Sequence, residues 1–324
     1  LGVISLFFIW EIAKHHNNKK RSKLPPPPPA IPGLPVLGNM LQLKEMKPFK
    51  TFAKWAEEYG PIYSIRTGAN RMVVLNSATV AKEALVTRHS SISAKKLSNA
   101  VTILTAGKII AMSDYNEFYK NAKRNLLNSI LGANVQKRYR FLRDDMIDGI
   151  YEQLLAHSRD AHTSEKAVDF RAIFQTELFR LAMKQDLGEA VESLYVEEFG
   201  KTLSIDEIYK ILVVDPVKGS AAVDWREFFP YLKWIPNRAF TERLQQLVYK
   251  RRIVMEEIIR QQKQHLAAGS VTKSYLQHLL FEADFALSDE ELMILVWESL
   301  VEADTTAVAA EWAMYELSKH PQIQ

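Results

Sequence analysis

Residues 288–319 read Ser288-Asp289-Glu290-Glu291-Leu292-Met293-Ile294-Leu295-Val296-Trp297-Glu298-Ser299-Leu300-Val301-Glu302-Ala303-Asp304-Thr305-Thr306-Ala307-Val308-Ala309-Ala310-Glu311-Trp312-Ala313-Met314-Tyr315-Glu316-Leu317-Ser318-Lys319, and this stretch decides the architecture. Ser288 and Glu291 match a capping box, in which hydroxyl and carboxylate satisfy the first helical N–H groups reciprocally. His320-Pro321 supplies the stop. A helix of this length would span about 48 Å, more than the width of a small domain. Leu292 to Leu300 is apolar on most faces, so the helix is expected to run through the interior. Glu302-Ala303-Asp304-Thr305-Thr306 then sets carboxylates and hydroxyls into that rod. Such groups cost several kcal/mol to bury without partners, and adjacent threonines can bond back to the i−4 carbonyl and bend a helix. The segment is either a functional pocket or a hydrated kink.

The rest of the chain is predicted to be mainly α with a small β element. Phe49, Phe52, Ala53, Ala56 and Tyr59 recur at helical spacing up to Gly60-Pro61. Ile62 to Ile65 and Met72 to Leu75 read as a hairpin turned through Gly68-Ala69-Asn70. From Asn76 onward nearly everything reads as helix, including a second capping box at Ser204 and Glu207 and a long charged amphipathic pattern over 239–268.

Composition narrows the function. The 324 residues include no cysteine, which excludes a disulfide framework, a Cys-type zinc site, a thiol nucleophile and a thiolate metal ligand within them. The net charge is +4, yet Lys14, Lys19, Lys20, Arg21 and Lys23 alone carry five positive charges. The basicity is a short collar and not a nucleic-acid footprint, so no nucleic-acid partner is expected. Residues 1–13 precede that collar and open on ten uncharged, mostly apolar residues. They fit the remnant of an N-terminal membrane anchor under the positive-inside tendency; the alternative, a secretory signal peptide, lacks its small-residue cleavage site. Residues 14–35 form the collar and a proline-rich hinge, in which Pro25 to Pro29 favour an extended polyproline rod. The remainder, 36–324, is the body.

Standard motifs are missing: there is no Gly-x-Gly-x-x-Gly, no phosphate loop at Gly107-Lys108 and no His-Glu-x-x-His. Glu316 and His320 are four apart and read as a solvated helix end. Lys120, Lys123 and Arg124 share a helix face behind Tyr115 and Tyr119, with Lys137, Arg138, Arg140 and Arg143 further on. That face is a solvated one, a docking surface for an acidic partner, or a clamp on cofactor carboxylates.

Ala303-Asp304-Thr305-Thr306 followed by Glu311 to Pro321 resembles the central helix of a plant microsomal cytochrome P-450. The order of anchor, basic collar, proline hinge, early hairpin and long helix resembles the same family. Val223-Asp224-Trp225-Arg226-Glu227-Phe228-Phe229-Pro230-Tyr231-Leu232-Lys233-Trp234-Ile235-Pro236-Asn237, with Leu131-Gly132-Ala133-Asn134 and Ala182-Met183-Lys184-Gln185, is similar to its diterpene-oxidising members. The resemblance implies a cytochrome P-450-like fold, incomplete at the C-terminus, with 36–324 as a partial monooxygenase domain ending after the oxygen-binding helix. It implies haem b, electrons from NADPH through a reductase docked on the basic face, a hydrophobic diterpene substrate, and a cytosol-facing body on the endoplasmic reticulum or plastid outer envelope.

Roles are assigned from matching positions. Thr305 corresponds to the threonine that holds dioxygen or its water, and Asp304 to the acid that feeds protons towards it. Val301 and Glu302 stand where the family has a small residue and glycine, and bear on groove width and proton route. Tyr119 and Lys123 match a tryptophan and an arginine at the haem propionates; Arg124 and Ala303 join them as cofactor contacts. Val101 and Leu104, with Val301, would border the substrate.

The family's iron is bound by a cysteine in a loop well after the long helix, and a Glu-x-x-Arg pair braces that region. Neither occurs before Gln324. Glu177 to Arg180 and Glu257 to Arg260 match the short pattern but precede the long helix, and read as i,i+3 surface pairs. No metal ligand is assigned. The polypeptide alone is expected to be inactive, because a thiolate pushes electron density onto the iron for O–O cleavage. The competing reading is a non-catalytic, membrane-tethered helical binding protein.

Overall fold

A computed structural model describes residues 26–43, 47–161, 168–269, 273–283, 285–301 and 304–323. The anchor remnant and collar therefore lie outside the described residues, as do Glu302 and Ala303. The chain forms two units, residues up to Ile92 with Phe228–Pro230, and Ser93–Glu227 with Tyr231 onward. Among the described residues no helix is long and apolar enough to cross a membrane.

The first unit is built on helix α1 (Pro48–Tyr59) and the antiparallel strands β1 (Ile62–Thr67) and β2 (Asn70–Leu75). Proline suits the first turn of α1 because its missing N–H would find no intrahelical partner there. Pairing runs from Ile62 opposite Leu75 to Thr67 opposite Asn70, the hairpin read from the sequence. Trp55 of α1 meets Tyr63 of β1 edge-on at 6.3 Å, and Tyr63 Oη donates to the Phe52 carbonyl at 2.8 Å. Ile31 completes this small core. Part of the expected hinge is thus built into the body: Ser64 N–H donates to the Pro29 carbonyl and Ile31 N–H to the Ser64 carbonyl. Proline lacks a donor but keeps its acceptor, so a proline run can still end in a strand-like bridge.

The second unit is largely helical. Its main elements are α2 (Asn99–Thr105), α3 (Glu117–Leu126), α4 (Arg140–Ala161), α5 (Phe170–Leu187), β3 (Ser193–Val196), β4 (Lys201–Ser204), α6 (Ile205–Tyr209), α7 (Arg238–Ala267), α8 (Tyr275–Phe281), α9 (Asp289–Val301) and α10 (Asp304–Lys319), with further short helical segments between them, Ala133–Arg138 and Asp215–Ser220 among them. The β3–β4 hairpin was not expected. Leu194, Val196 and Leu203 point into the core while Gly200 turns the chain at φ +61°. Two four-residue strands are too short for alternation to stand out between helices. Both capping boxes form, at Ser204 with Glu207 and at Ser288 with Glu291.

Helix α9 is the axis of the core. Leu292 to Glu298 and Leu300 are buried, packed among Phe179 and Met183 of α5, Val254 and Ile258 of α7, Leu276 of α8 and the β3–β4 hairpin. Each such aliphatic side chain contributes about 1.5–3 kcal/mol on burial, so the apolar half of the 288–319 stretch lies in the interior as expected. The second half differs. Helix α10 buries Ala307 against Leu178 and Leu181 of α5 and leaves Thr305 and Thr306 exposed.

Candidate functional site

The sequence-predicted oxygen site falls at the start of α10. Thr305 lies in its first turn with an exposed side chain, and Asp304 begins the helix. Three positions before Asp304, Val301 ends α9 half-buried and packs on the main core cluster. The two polar residues Asp304 and Thr305 begin the helix that follows α9.

The predicted cofactor contacts cluster on α3. Asn116 caps this helix by accepting from the Tyr119 N–H at 2.9 Å, so the ring and the basic residues after it project from a fixed first turn. Lys123 Nζ donates to Tyr119 Oη at 3.0 Å and lies 5.3 Å from its ring centroid. Arg124 Nη2 donates to Asn121 Oδ1, and Lys120 pairs with Glu117 at 2.7 Å. The Glu117 carboxylate pushes the Lys120 ammonium above its ordinary value, by hydrogen bond first and charge second. Tyr115, Tyr119, Lys120, Lys123, Arg124 and Leu127 line a surface concavity of about 310 Å³. Tyr119 also packs on the same core cluster as Val301, so α3 and the end of α9 share one hydrophobic support.

The predicted substrate border divides. Val101 is half-buried on α2, whereas Leu104 is buried with Ala100 and Leu244 in a separate small cluster. The path of the chain beyond Leu104 was not anticipated. Ala106 and Gly107 both adopt positive φ, +51° and +70°, and reverse the chain towards Ile110. Arg251 Nη1 of α7 donates to the Leu104 carbonyl, and the guanidinium sits 4.1 Å over the Trp297 ring. Burial pulls that guanidinium down to about 10, opposed in part by the Glu290 charge. Both carboxylate oxygens of Glu298 accept backbone N–H groups, from Ile110 and Ala111, each at 2.7 Å. On either side, Trp297 Nε1 donates to the Leu212 carbonyl at 2.7 Å and Ser299 Oγ to Asp186 Oδ1 at 2.9 Å.

Glu298 was visible in the sequence as the one charge within an apolar run. Nothing local marked Arg251 apart from Lys250 and Arg252. The short Glu-x-x-Arg matches are ion pairs, Glu177 with Arg180 and Glu257 with Arg260, and Arg180 also grips Glu192 with two bonds of 2.8 and 2.9 Å. Glu316 and His320 form a loose exposed pair at 3.8 Å.

The mainly helical architecture with two small antiparallel sheets agrees with the family to which the chain is matched. The Cytochrome P450 family model matches residues 25–324, and the chain belongs to that family. It is 59% identical to Ent-kaurene oxidase of Salvia miltiorrhiza over the whole chain, which covers 62% of that protein. It is 51% identical to Ent-kaurene oxidase 2 of Oryza sativa subsp. japonica over 91% of the chain and 58% of that protein. Ent-sandaracopimaradiene 3-hydroxylase of the same rice is 46% identical over 91% of the chain and 58% of its own length. The chain spans about three fifths of the length of these relatives.

The family implies a haem. The exposed cations Lys123 and Arg124 beside the α3 concavity fit its anionic carboxylate edge. Its axial sulfur ligand has no counterpart in these 324 residues, which contain no cysteine. No step through iron is therefore derived from this chain.

Proposed function

We propose that these residues form the oxygen-side portion of a haem-thiolate monooxygenase that oxidises a methyl group of a tetracyclic diterpene, converting ent-kaurene to ent-kaurenoic acid in gibberellin biosynthesis. The observation that carries this reading is 59% identity to an ent-kaurene oxidase along the entire chain. The haem, when bound, activates dioxygen. In this proposal Thr305 holds a hydrogen bond at its hydroxyl, and Asp304 with Glu302 passes protons towards it; timed proton delivery in a site that excludes water is the part of such chemistry a protein must supply. Tyr119, Lys123, Arg124 and Ala303 contact the cofactor, and Val101, Leu104 and Val301 border the diterpene.

Electrons come from NADPH through a reductase whose acidic surface meets Lys120 and Arg124; opposite charges favour fast, oriented encounter. The N-terminal residues tether the body to the endoplasmic reticulum or plastid outer envelope, facing the cytosol. The 324 residues alone give no thiolate-type Soret band on reduction with carbon monoxide, since they offer no sulfur ligand.

The test is expression of the complete reading frame in microsomes with a plant reductase and NADPH, fed ent-kaurene and ent-sandaracopimaradiene in parallel. Accumulation of ent-kaurenoic acid is the expected result. Hydroxylation of the second substrate alone would move the assignment to the other relative's activity, and a reading frame without a later cysteine would remove the oxidase reading.

A further inference from the structure

Among the ionisable side chains buried in the second unit, one positive and one negative are committed to backbone. Arg251 is 3% exposed and Glu298 is 7% exposed. Taking an ion out of water costs several kcal/mol unless its partners replace the lost hydration. The partners of Arg251 are the Leu104 carbonyl and the face of Trp297, and its Nε has no hydrogen-bond partner among the described residues. Glu298 accepts two consecutive N–H groups, Ile110 and Ala111. Both charges therefore act on one segment, residues 104–111, from its two ends.

Between those ends the segment is held by side chains, with Ile109 and Ile110 buried in the main core cluster and Lys108 Nζ on Glu290 Oε2 at 3.3 Å, while its backbone bonds are local. Lys108 N–H donates to the Thr105 carbonyl at 2.9 Å and Gly107 N–H to Thr105 Oγ1 at 3.2 Å, both local bonds that travel with the segment. The reversal at Ala106 and Gly107 uses left-handed backbone that a free chain populates poorly at alanine. A carboxylate suits the far end because its two oxygens each take one of two adjacent N–H donors, with charge to strengthen both bonds. A guanidinium is suited to the near end because its planar face stacks on Trp297 while its edge reaches the carbonyl. Trp297 and Glu298 are adjacent on α9, so one turn of the central helix supports both attachments.

We propose that Glu298 and Arg251 are positioning residues that clamp segment 104–111 from its two ends and thereby set the border of the substrate pocket. The substrate part of this statement rests on the monooxygenase reading above; the clamp does not. Neither residue touches substrate in this account, and each acts through the backbone it holds.

Amide hydrogen exchange on the full chain tests the clamp. In E298Q one acceptor becomes an NH2 donor facing a donor, so the Ile110 and Ala111 amides exchange about tenfold faster or more, while amides in the middles of α5 and α7 keep their protection. S299A, which breaks the neighbouring tie to Asp186, leaves Ile110 and Ala111 at their original rates. R251M addresses the other end, raising exchange at Gly107 and Lys108, and keeps the test open if E298Q does not accumulate. In microsomes carrying the complete enzyme, E298Q raises the KM for ent-kaurene about threefold or more while kcat changes less. Unchanged exchange in both variants overturns the clamp. Faster exchange with KM, kcat and product ratio all at their original values overturns the positioning role. If the unmutated enzyme oxidises no diterpene, the functional reading has failed, and the exchange rates still decide the clamp.

Discussion

Asn99 Nδ2 donates to Asp224 Oδ2 at 2.8 Å, joining two residues 125 positions apart, and the Asn99 N–H donates to Glu227 Oε1 at 2.7 Å. Asp224 has no exposed surface, and it also accepts from Arg226 Nη2 at 2.7 Å and Asn237 Nδ2 at 3.3 Å. A buried carboxylate satisfied from three directions fixes the start of α2 against the turn before α7. The run 223–237, the most distinctive part of the family resemblance, is thus held together by its own aspartate.

Asp224 carries the first prediction. Burial alone would raise its carboxyl, but hydrogen bonds from Arg226, Asn99 and Asn237 outweigh burial and hold it well below the usual carboxylate range. A depressed folded value stabilises the fold above the unfolded value of about 3.9, and that contribution is lost as pH falls below it. D224N should cost about 2–4 kcal/mol at pH 7 by urea unfolding. The gap to the unmutated chain should narrow as pH drops from about 4 towards 2.

Trp297 combines a buried N–H bond to Leu212 with a cation stacked on its ring. W297F keeps an aromatic face and loses the donor, so the Leu212 carbonyl is left without it. The expected loss is about 1–2 kcal/mol, read as a lower denaturation midpoint with unchanged slope.

Ala106 holds φ at +51° immediately after α2, where glycine is the usual residue. A106G should raise stability by about 0.5–1 kcal/mol, seen as a higher thermal midpoint. A decrease would show that the Cβ makes a contact worth more than the strain.

Gly68 turns the β1–β2 hairpin at φ +62°, and a Cβ there would stand 2.2 Å from the Phe228 carbonyl oxygen. G68A should destabilise the first unit by about 2 kcal/mol or more, since both the backbone conformation and the space oppose it. Faster exchange confined to residues 62–75 is the readout.

Much of this architecture follows from the amino-acid sequence. The first helix, the early hairpin, both capping boxes, the long helix over 238–267 and the buried half of the central helix are all legible from apolar spacing and end signals. The β3–β4 hairpin escaped because each strand offers only four residues. The exposure of Thr305 escaped for another reason: an alternation of small residues on α10 does not say which face α5 will cover. Of the candidate site, Tyr119, Lys123 and Arg124 do lie together on α3, whereas Leu104 turned inward to a cluster of its own.

Local order was written in the chain itself, because capping, turn formation and the 3.6-residue period involve neighbours a few positions apart. Which ionic groups would be shut away from water was settled only by folding. Arg251 and Arg252 are chemically equal in the sequence, yet one faces Trp297 and the other faces solvent, since burial depends on how α7 and α9 meet across tens of residues. The same meeting turns Glu298 from an oddity in an apolar run into the group that holds Ile110 and Ala111.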